Sequence, residues 1–406
     1  MNKAILNTEV QKFITEHLFE DLSKLILKGS PFPQVSSQEI GVQISGKKKA
    51  ESKLPVWFNT KKILYPPNLN LEQTSSQKTA KYKASLISGD KLIDLTGGFG
   101  IDSYFFAEKF RQLTYCELNP ELFEIATHNF EILGARNIKA FQGNGIEILK
   151  KSKEHFDWIF LDPSRRDEHG GKVFHLNQCT PDISENLELL FERSENIMLK
   201  TSPLLDLKAG IIGLKQVSEI HIVAVNSDVK ELLWILKKGF QGEADIKTID
   251  FQKSEIQLFN TIFSNNQSEV PLSLPLKYIY EPNPAIMKSG MFRELAVQTN
   301  TVKLHSNSHL FTSETIKNFP GRTFEVSDII PFNRKLLKQR LKVKKANITT
   351  RNFPKSVEVL RQELKISDGG NTYLFFTTNL KNEKIVLVCN KISDKTQSSD
   401  LDEFNQ

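Results

Sequence analysis

Apolar positions along the chain follow two rhythms. Behind Thr8-Glu-Val-Gln11, a capping-box pattern, Val10, Phe13, Ile14, Leu18, Leu22, Leu25 and Ile26 recur every three to four residues until Gly29 and Pro31. This predicts one long amphipathic helix. Residues Ser36 to Lys53 are less periodic, and their Lys47-Lys-Lys49 run reads as a solvated face. Residues 1–70 are therefore expected to form a helical N-terminal region. The stretch Glu72 to Lys83 predicts a further helix, capped by Thr74 or Gln77, that runs to Ile87 and ends at Gly89.

From Lys91 the rhythm changes to short apolar runs separated by helical patterns. Leu92 to Leu95, Leu113 to Glu117, Ile138 to Gln142, Trp158 to Leu161, Asn196 to Lys200 and Glu219 to Val225 read as strands. Asn119-Pro120 opens a helix that Gly134 closes; Pro181 to Glu192, Leu205 to Ile212 and Asp228 to Lys237 read as further helices. Asp245 to Asp250 and Glu255 to Phe263 follow with no helix between them, as a closing hairpin. The expected fold over 71–265 is α/β, a doubly wound Rossmann-like sheet, mostly parallel, with one antiparallel strand at or near its edge.

Ser264-Asn-Asn-Gln-Ser-Glu-Val-Pro271 reads as a linker. Beyond it, 274–320 carries a strand (Lys277 to Tyr280), a helix (Pro284 to Ala296) and a strand (Val302 to His305). Residues 321–392 continue with Gly321 to Val326, Lys335 to Leu341, Ala346 to Thr350, Lys355 to Leu364, Thr372 to Thr378 and Lys384 to Cys389. These are small α+β units of ferredoxin-like rhythm. The polar, acidic tail 393–406 is expected to be disordered.

Composition adds bounds. A chain of 406 residues, 39% hydrophobic and 25% charged, divides into two or three domains. Cys116, Cys179 and Cys389 show no CxxC spacing, which points to a reduced compartment and away from disulfides or structural zinc. No HExxH or paired Cys/His cluster appears, so no metal is expected. No run suits a signal peptide or a membrane span, and the expected location is cytoplasmic. The oligomeric state is left open.

Candidate chemistry gathers at the ends of the predicted strands. Asp94-Leu-Thr-Gly-Gly-Phe-Gly100 is a strand, tight turn and helix start whose glycines let the main chain approach a nucleotide. Glu117 stands 23 residues after Asp94, near the spacing at which an acid grips a ribose hydroxyl, and Asp162-Pro163 closes a later strand. A dinucleotide-dependent oxidoreductase is the main competitor. Against it, Ser103 takes the place of the third glycine in GxGxxG, and neither Asp94 nor Asp-Pro has a role in hydride transfer.

Asp94-Leu-Thr-Gly-Gly-Phe-Gly, Glu117, Gly143-Asn-Gly145 and Asp162-Pro163, in this order on four strands, resemble the motifs of class I S-adenosylmethionine-dependent methyltransferases. The resemblance covers about Leu71 to Phe263. It implies S-adenosylmethionine as cofactor, held by Asp94, Thr96, Gly97, Gly98, Gly100, Glu117, Asn144, Gly145 and Asp162. Asn144 stands at the adenine amine, where the family often has Asp. Gln73, Thr74 and Ser75, at a helix start, either line that pocket or only pack beside the first strand.

Asp162-Pro163-Ser164-Arg165 is similar to the tetrad of enzymes that methylate exocyclic amines of bases, with Arg165 in the aromatic position. A guanidinium can stack on a base or hold a phosphate, so a nucleotide acceptor survives the change. Arg165 and Arg166 could equally be solvated. The loop Arg165 to Thr180, with His169 and His175, reads as a lid over the acceptor or as a floppy connection. Cys179 lies too far beyond Pro163 for covalent attack on a pyrimidine.

Lys200 leaves a strand at the same sheet edge and either touches phosphate or is merely exposed. Between Asn333 and Val357 stand nine cations, among them Arg334, Lys338, Lys342, Lys344, Lys345 and Arg351, and no acid, although the whole chain is only +6. This segment carries the basic character expected of a nucleic-acid contact. Lys345-Ala-Asn-Ile-Thr-Thr-Arg-Asn-Phe-Pro354 and Asp368-Gly-Gly-Asn-Thr-Tyr-Leu-Phe-Phe376 resemble the THUMP-like C-terminal domain fused to class I methyltransferases that act on RNA. The reading is a methyltransferase of an RNA nucleotide, in rRNA or tRNA. The alternatives are a small-molecule or protein methyltransferase, and an inactive RNA-binding protein that retains the cofactor site.

Overall fold

The computed structural model describes residues 2–165, 176, 179–263 and 270–392. The expected disordered tail from residue 393, most of the expected linker, and Arg166, His169 and His175 of the expected lid lie outside the described residues. Two compact units are distinguished: the chain up to Ser218 with Leu233–Gln241, and Glu219–Leu232 with the chain from Gly242 onward.

Among the described residues, the strands ahead of the linker are β1 (Gly89–Asp94), β2 (Phe110–Glu117), β3 (Ile138–Gln142), β4 (Trp158–Leu161), β5 (Ser164–Arg165), β6 (Cys179–Thr180), β7 (Asn196–Thr201), β8 (Val217–Val225), β9 (Asp228–Lys237), β10 (Asp245–Phe251) and β11 (Ile256–Ile262). Nine of them form one sheet in the order β11-β10-β8-β9-β7-β4-β1-β2-β3, while β5 and β6 make a separate two-stranded ribbon. β1 lies between β2 and β4, parallel to both, so Asp94 is level with Tyr115 and Phe160. β3 and β7 extend the parallel set on either side. The carboxyl ends of β1 to β4 consequently open on one edge, where a doubly wound sheet places its ligands.

Three expectations are corrected. Asp228–Lys237 is not a helix but strand β9, and it sits inside the sheet between β7 and β8. Its run of buried residues from Glu231 to Leu236 is covered on both faces, which removes the alternation that would have marked a strand. A hairpin joins it to β8 through Asn226 and Ser227, both with positive φ (50° and 61°). The N-terminal helix is broken in two, Thr8–Glu16 and Leu22–Leu27, because the Asp21 side chain accepts from the amides of Ser23 and Lys24 and starts a second helix. No side-chain cap bond precedes Thr8; the capping box lies instead at Ser36 and Glu39, ahead of helix Ser37–Lys53.

The N-terminal helices pack into the core of the first unit. Val10, Ile14, Ile40, Ile44 and Trp57 share one buried core with Leu92, Phe105, Leu113 and Met198 of the sheet and its helices. The helix expected over Glu72 to Lys83 is observed as Gln77–Ser85, capped by Ser76 and not by Thr74 or Gln77, whose side chain accepts from the Val56 amide at 3.0 Å.

After the linker come β12 (Tyr278–Pro282), β13 (Val302–Lys303), β14 (Phe311–Ser313), β15 (Gly321–Pro331), β16 (Asn347–Arg351), β17 (Thr372–Thr378) and β18 (Lys384–Lys391). The helix expected over 284–296 is two, Pro284–Ser289 and Phe292–Thr299, separated at Gly290 with φ +71°. These strands belong to one sheet, β13-β14-β12-β15-β18-β17-β16. Two apolar clusters line it, one around Ile330, Leu360 and Phe376, the other around Ile279, Phe324 and Leu387.

Candidate active site

The glycine turn after β1 is shaped by its neighbours. A Cβ on Gly97 would lie 2.0 Å from the Tyr115 ring, and one on Gly100, at φ +81°, 2.5 Å from Phe130. Those two glycines are demanded by packing. Gly98 differs: its φ is +56°, yet around its Cβ position only the Thr96 carbonyl comes as near as 4.0 Å. The main chain at Gly98 is therefore open on one side, as a cradle for a ligand must be.

Two hydrogen bonds fasten neighbouring strand ends to this loop. The Gly98 amide donates to Glu117 Oε2 at 2.7 Å, and Glu117 Oε1 accepts from the Asn119 amide at 2.7 Å. On the other side the Asp162 amide donates to Thr96 Oγ1 at 2.6 Å. Tyr115 donates its hydroxyl to the Gly98 carbonyl at 2.6 Å, and burial holds that phenol well above its ordinary pKa. The ends of β2, β1 and β4 are thus locked around one turn.

Asp94 is buried behind the turn. It is 1% exposed, one oxygen accepting from the Ser103 hydroxyl at 2.5 Å and the other from the Thr96 amide at 3.0 Å. Burial raises its pKa from 3.8 to about 7, opposed by those two hydrogen bonds and assisted by the charges of Asp102 and Asp162. It shapes the turn from behind. Ser103, which stands where a third glycine was considered, is its partner.

Asn144 and Gly145 follow β3. The Asn144 side-chain oxygen accepts from the Ile146 amide at 2.9 Å and caps helix Gly145–Lys151, so this carbonyl is engaged by the protein itself. A Cβ on Gly145 would meet the Leu95 carbonyl at 2.2 Å, which brings the helix start against the end of β1. Beside Asn144 runs an open cleft of about 600 Å³, lined also by Ile146, Glu147, Thr180, Pro181 and residues of helix Ile183–Arg193.

Asp162 is half-buried and its carboxylate is ion-paired with Lys200 Nζ, whose side chain is 12% exposed. Register explains the pairing, since Leu161 on β4 is level with Leu199 on β7. Lys200, expected either to touch phosphate or to be exposed, is ion-paired with Asp162. Pro163 is buried and Ser164 exposed; Arg165 pairs through its backbone with Cys179 in the β5–β6 ribbon. Cys179 is itself buried.

Of the helix-start trio, Gln73 is exposed and Thr74 half-buried. Ser75 is 6% exposed and donates to Asp102 Oδ2 at 2.8 Å while accepting from Lys83 Nζ at 3.0 Å; Lys83 also pairs with Asp102 at 3.2 Å. Lys83 is fully buried. Lys83, Asp102 and the 63% exposed Leu118 next to Glu117 were not among the residues the sequence singled out. One signal was there: Lys83 falls on the stripe of buried Thr79, Ala80 and Ala84, where a lysine requires a buried acid.

The basic residues of the second unit divide. Arg334, Lys338, Lys342, Lys344 and Lys345 are exposed. Arg351 is engaged within the protein: its guanidinium donates to Glu281 Oε1 at 2.8 and 3.2 Å, and Arg322 occupies the other oxygen of that carboxylate.

A parallel α/β sheet with an inserted hairpin strand, a glycine turn after β1, an acid after β2 and Asp-Pro after β4 define a class I methyltransferase fold. Comparison with known proteins agrees. A crystal structure described as that of a methyltransferase from Porphyromonas gingivalis W83 is 33% identical, with a TM-score of 0.87 over 96% of this chain and 99% of that one. The THUMP domain-like family profile matches residues 321–391, and a ferredoxin-like domain profile matches residues 278–320. An uncharacterized protein of Mycoplasma mobile named as an RNA methyltransferase is 32% identical over 77 residues, 19% of this chain and 21% of that one. The chain belongs to the class I methyltransferases that carry a C-terminal THUMP-like domain.

Proposed function

We propose that the protein transfers a methyl group from S-adenosylmethionine to a nucleotide of RNA. The observation that carries the cofactor assignment is the locked turn, in which Gly98 leaves its backbone open beside the Glu117 carboxylate. Each Glu117 oxygen accepts one amide hydrogen and keeps acceptor capacity for a ribose hydroxyl. Leu118 adds an exposed apolar surface next to it, and Asn144 lines an open cleft. These residues fit a nucleoside with a charged tail. When bound, the cofactor supplies a methyl group already activated on a sulfonium.

The protein's part is then alignment. Asp162, one residue beyond β4 and tied to the turn through Thr96, holds the acceptor next to that methyl. Pro163, the next residue, is buried. For the RNA, support comes from the THUMP domain-like match, the name of the Mycoplasma relative and five exposed cations on a stretch with no acid. Such a surface gathers phosphates and releases counterions.

Two measurements test this. Calorimetry with S-adenosylhomocysteine should show binding that Glu117→Ala weakens. Labelled methyl transfer to total RNA should occur with the intact protein and be lost in Asp162→Ala; label that persists in the variant removes Asp162 from the reaction.

A further inference from the structure

We propose that Lys83 is a positioning residue: through Ser75 and Asp102 it holds the segment 73–75 beside the glycine turn, as the wall that receives the amino-acid end of the cofactor. This rests on the proposed function and adds to it a part of the site that lies ahead of β1.

Thr74 ends helix Asn68–Gln73 and Ser76 caps helix Gln77–Ser85, so Ser75 stands in the joint between them. Such a joint takes its position from the side chains that grip it. The Ser75 hydroxyl donates to Asp102 Oδ2 at 2.8 Å and accepts from Lys83 Nζ at 3.0 Å, and Lys83 closes the triangle on Asp102 Oδ1 at 3.2 Å. Lys83 lies in the last turn of helix Gln77–Ser85. Helical side chains lean back toward the N-terminus, which carries its ammonium to a residue eight positions earlier. Asp102 lies just beyond Gly100, in the first turn of helix Ile101–Ala107, and that helix packs against Gln77–Ser85. The triangle therefore ties the joint to the glycine turn.

Stability alone does not ask for this arrangement. Lys83 is fully buried and the Asp102 side chain is 12% exposed, and apolar side chains of similar size would avoid the cost of desolvating both charges. What a closed set of directional bonds supplies is a fixed place for Ser75 relative to the turn. Ser75 is buried, its hydroxyl both donating and accepting, and serves as the anchor. Thr74 is half-buried and Gln73 exposed, so theirs are the side chains of the segment that a ligand can reach.

Glu117 and Asp102 mark the two ends of the turn. Glu117 accepts from the Gly98 amide, Asp102 follows Gly100, and the charge of Asp102 reaches Asp94 at the foot of the turn. A nucleoside gripped by its ribose at Glu117 extends its tail along the open backbone of Gly98 toward the anchored joint. That tail ends in an ammonium and a carboxylate. The Gln73 carboxamide and the Thr74 hydroxyl each donate and accept, so both can serve either charge.

The test is calorimetry on the full chain with two ligands that share a thioether nucleoside: S-adenosylhomocysteine, which has the amino-acid end, and 5′-methylthioadenosine, which lacks it. Lys83→Met should weaken S-adenosylhomocysteine binding about 10-fold or more, the scale of a lost hydrogen bond to a charged group, and leave 5′-methylthioadenosine binding unchanged. A general loosening of the fold would weaken both alike. Ser75→Ala keeps the Lys83–Asp102 ion pair; it should show the same selective loss, and it decides the question if Lys83→Met does not fold. Unchanged S-adenosylhomocysteine affinity in either folded variant, or equal weakening of both ligands, overturns the inference and leaves the proposed function standing. A wild-type chain that does not bind S-adenosylhomocysteine overturns both.

Discussion

Asp94→Asn isolates the cost of burying a carboxylate under the cofactor turn. Burial lifts the Asp94 pKa from 3.8 to about 7 in the folded chain. Below pH ~4 the group is protonated in both folded and unfolded chains and costs nothing. Between pH ~4 and ~7 the unfolded chain releases a proton that the folded chain keeps, so folding loses stability as pH rises. Above pH ~7 the loss levels off at about 4 kcal/mol, roughly three pKa units at ~1.4 kcal/mol each. From pH ~5 to pH ~8 the change attributable to Asp94 is roughly 2 to 3 kcal/mol. Urea denaturation of the wild-type chain and Asp94→Asn at both pH values separates this from every other titrating group. The variant should fall less steeply by that amount, because asparagine still accepts from the Thr96 amide but has no proton to lose. Equal pH slopes for the two proteins would refute the assignment of a buried, proton-holding carboxylate.

The glycines provide a contrast. Gly97→Ala should lower the thermal midpoint strongly, since its Cβ would sit 2.0 Å from the Tyr115 ring, whereas Gly98→Ala should cost only about 1 kcal/mol in stability and yet lose most S-adenosylhomocysteine binding by calorimetry. Glu281→Gln should destabilise the chain by roughly 2 to 3 kcal/mol in urea, below the range for a fully buried pair because Arg322 and Arg351 are 45% and 34% exposed. Replacing Lys338, Lys342 and Lys344 together by Gln should weaken RNA binding uniformly across sequences. It should flatten the logarithmic salt dependence by about 0.7 to 0.9 for each phosphate that is no longer neutralised, as read by filter binding at several salt concentrations.

The central sheet was legible because its signals are local. Strands such as Leu113 to Glu117 are short apolar runs bounded by turn residues, and Asn119-Pro120 opens its helix with both a side-chain cap and a first-turn proline. β9 was not, because Leu232, Leu233, Trp234, Ile235 and Leu236 are all buried; uniform burial erases the period that separates strand from helix. The site divides in the same way. The order Asp94, Glu117, Asn144, Asp162 could be read along the chain, since each closes a strand. How each is held could not: the burial of Asp94 involves Ser103 from the following helix, and the pairing of Lys200 with Asp162 depends on the register of β4 with β7. Likewise the bond of Arg351 to Glu281, 70 residues earlier, leaves no local mark in the sequence.

The boundary between the ferredoxin-like match and the THUMP domain-like match falls between Pro320 and Gly321, yet β12 and β15 are hydrogen-bonded neighbours across it, from Tyr278 opposite Glu325 to Pro282 opposite Gly321. Severing the chain there would tear a sheet lengthwise, baring a row of amides and carbonyls on either piece and stripping Arg322 and Arg351 of their shared anion. Neither fragment is then a self-sufficient module, and each would be sticky along its new margin.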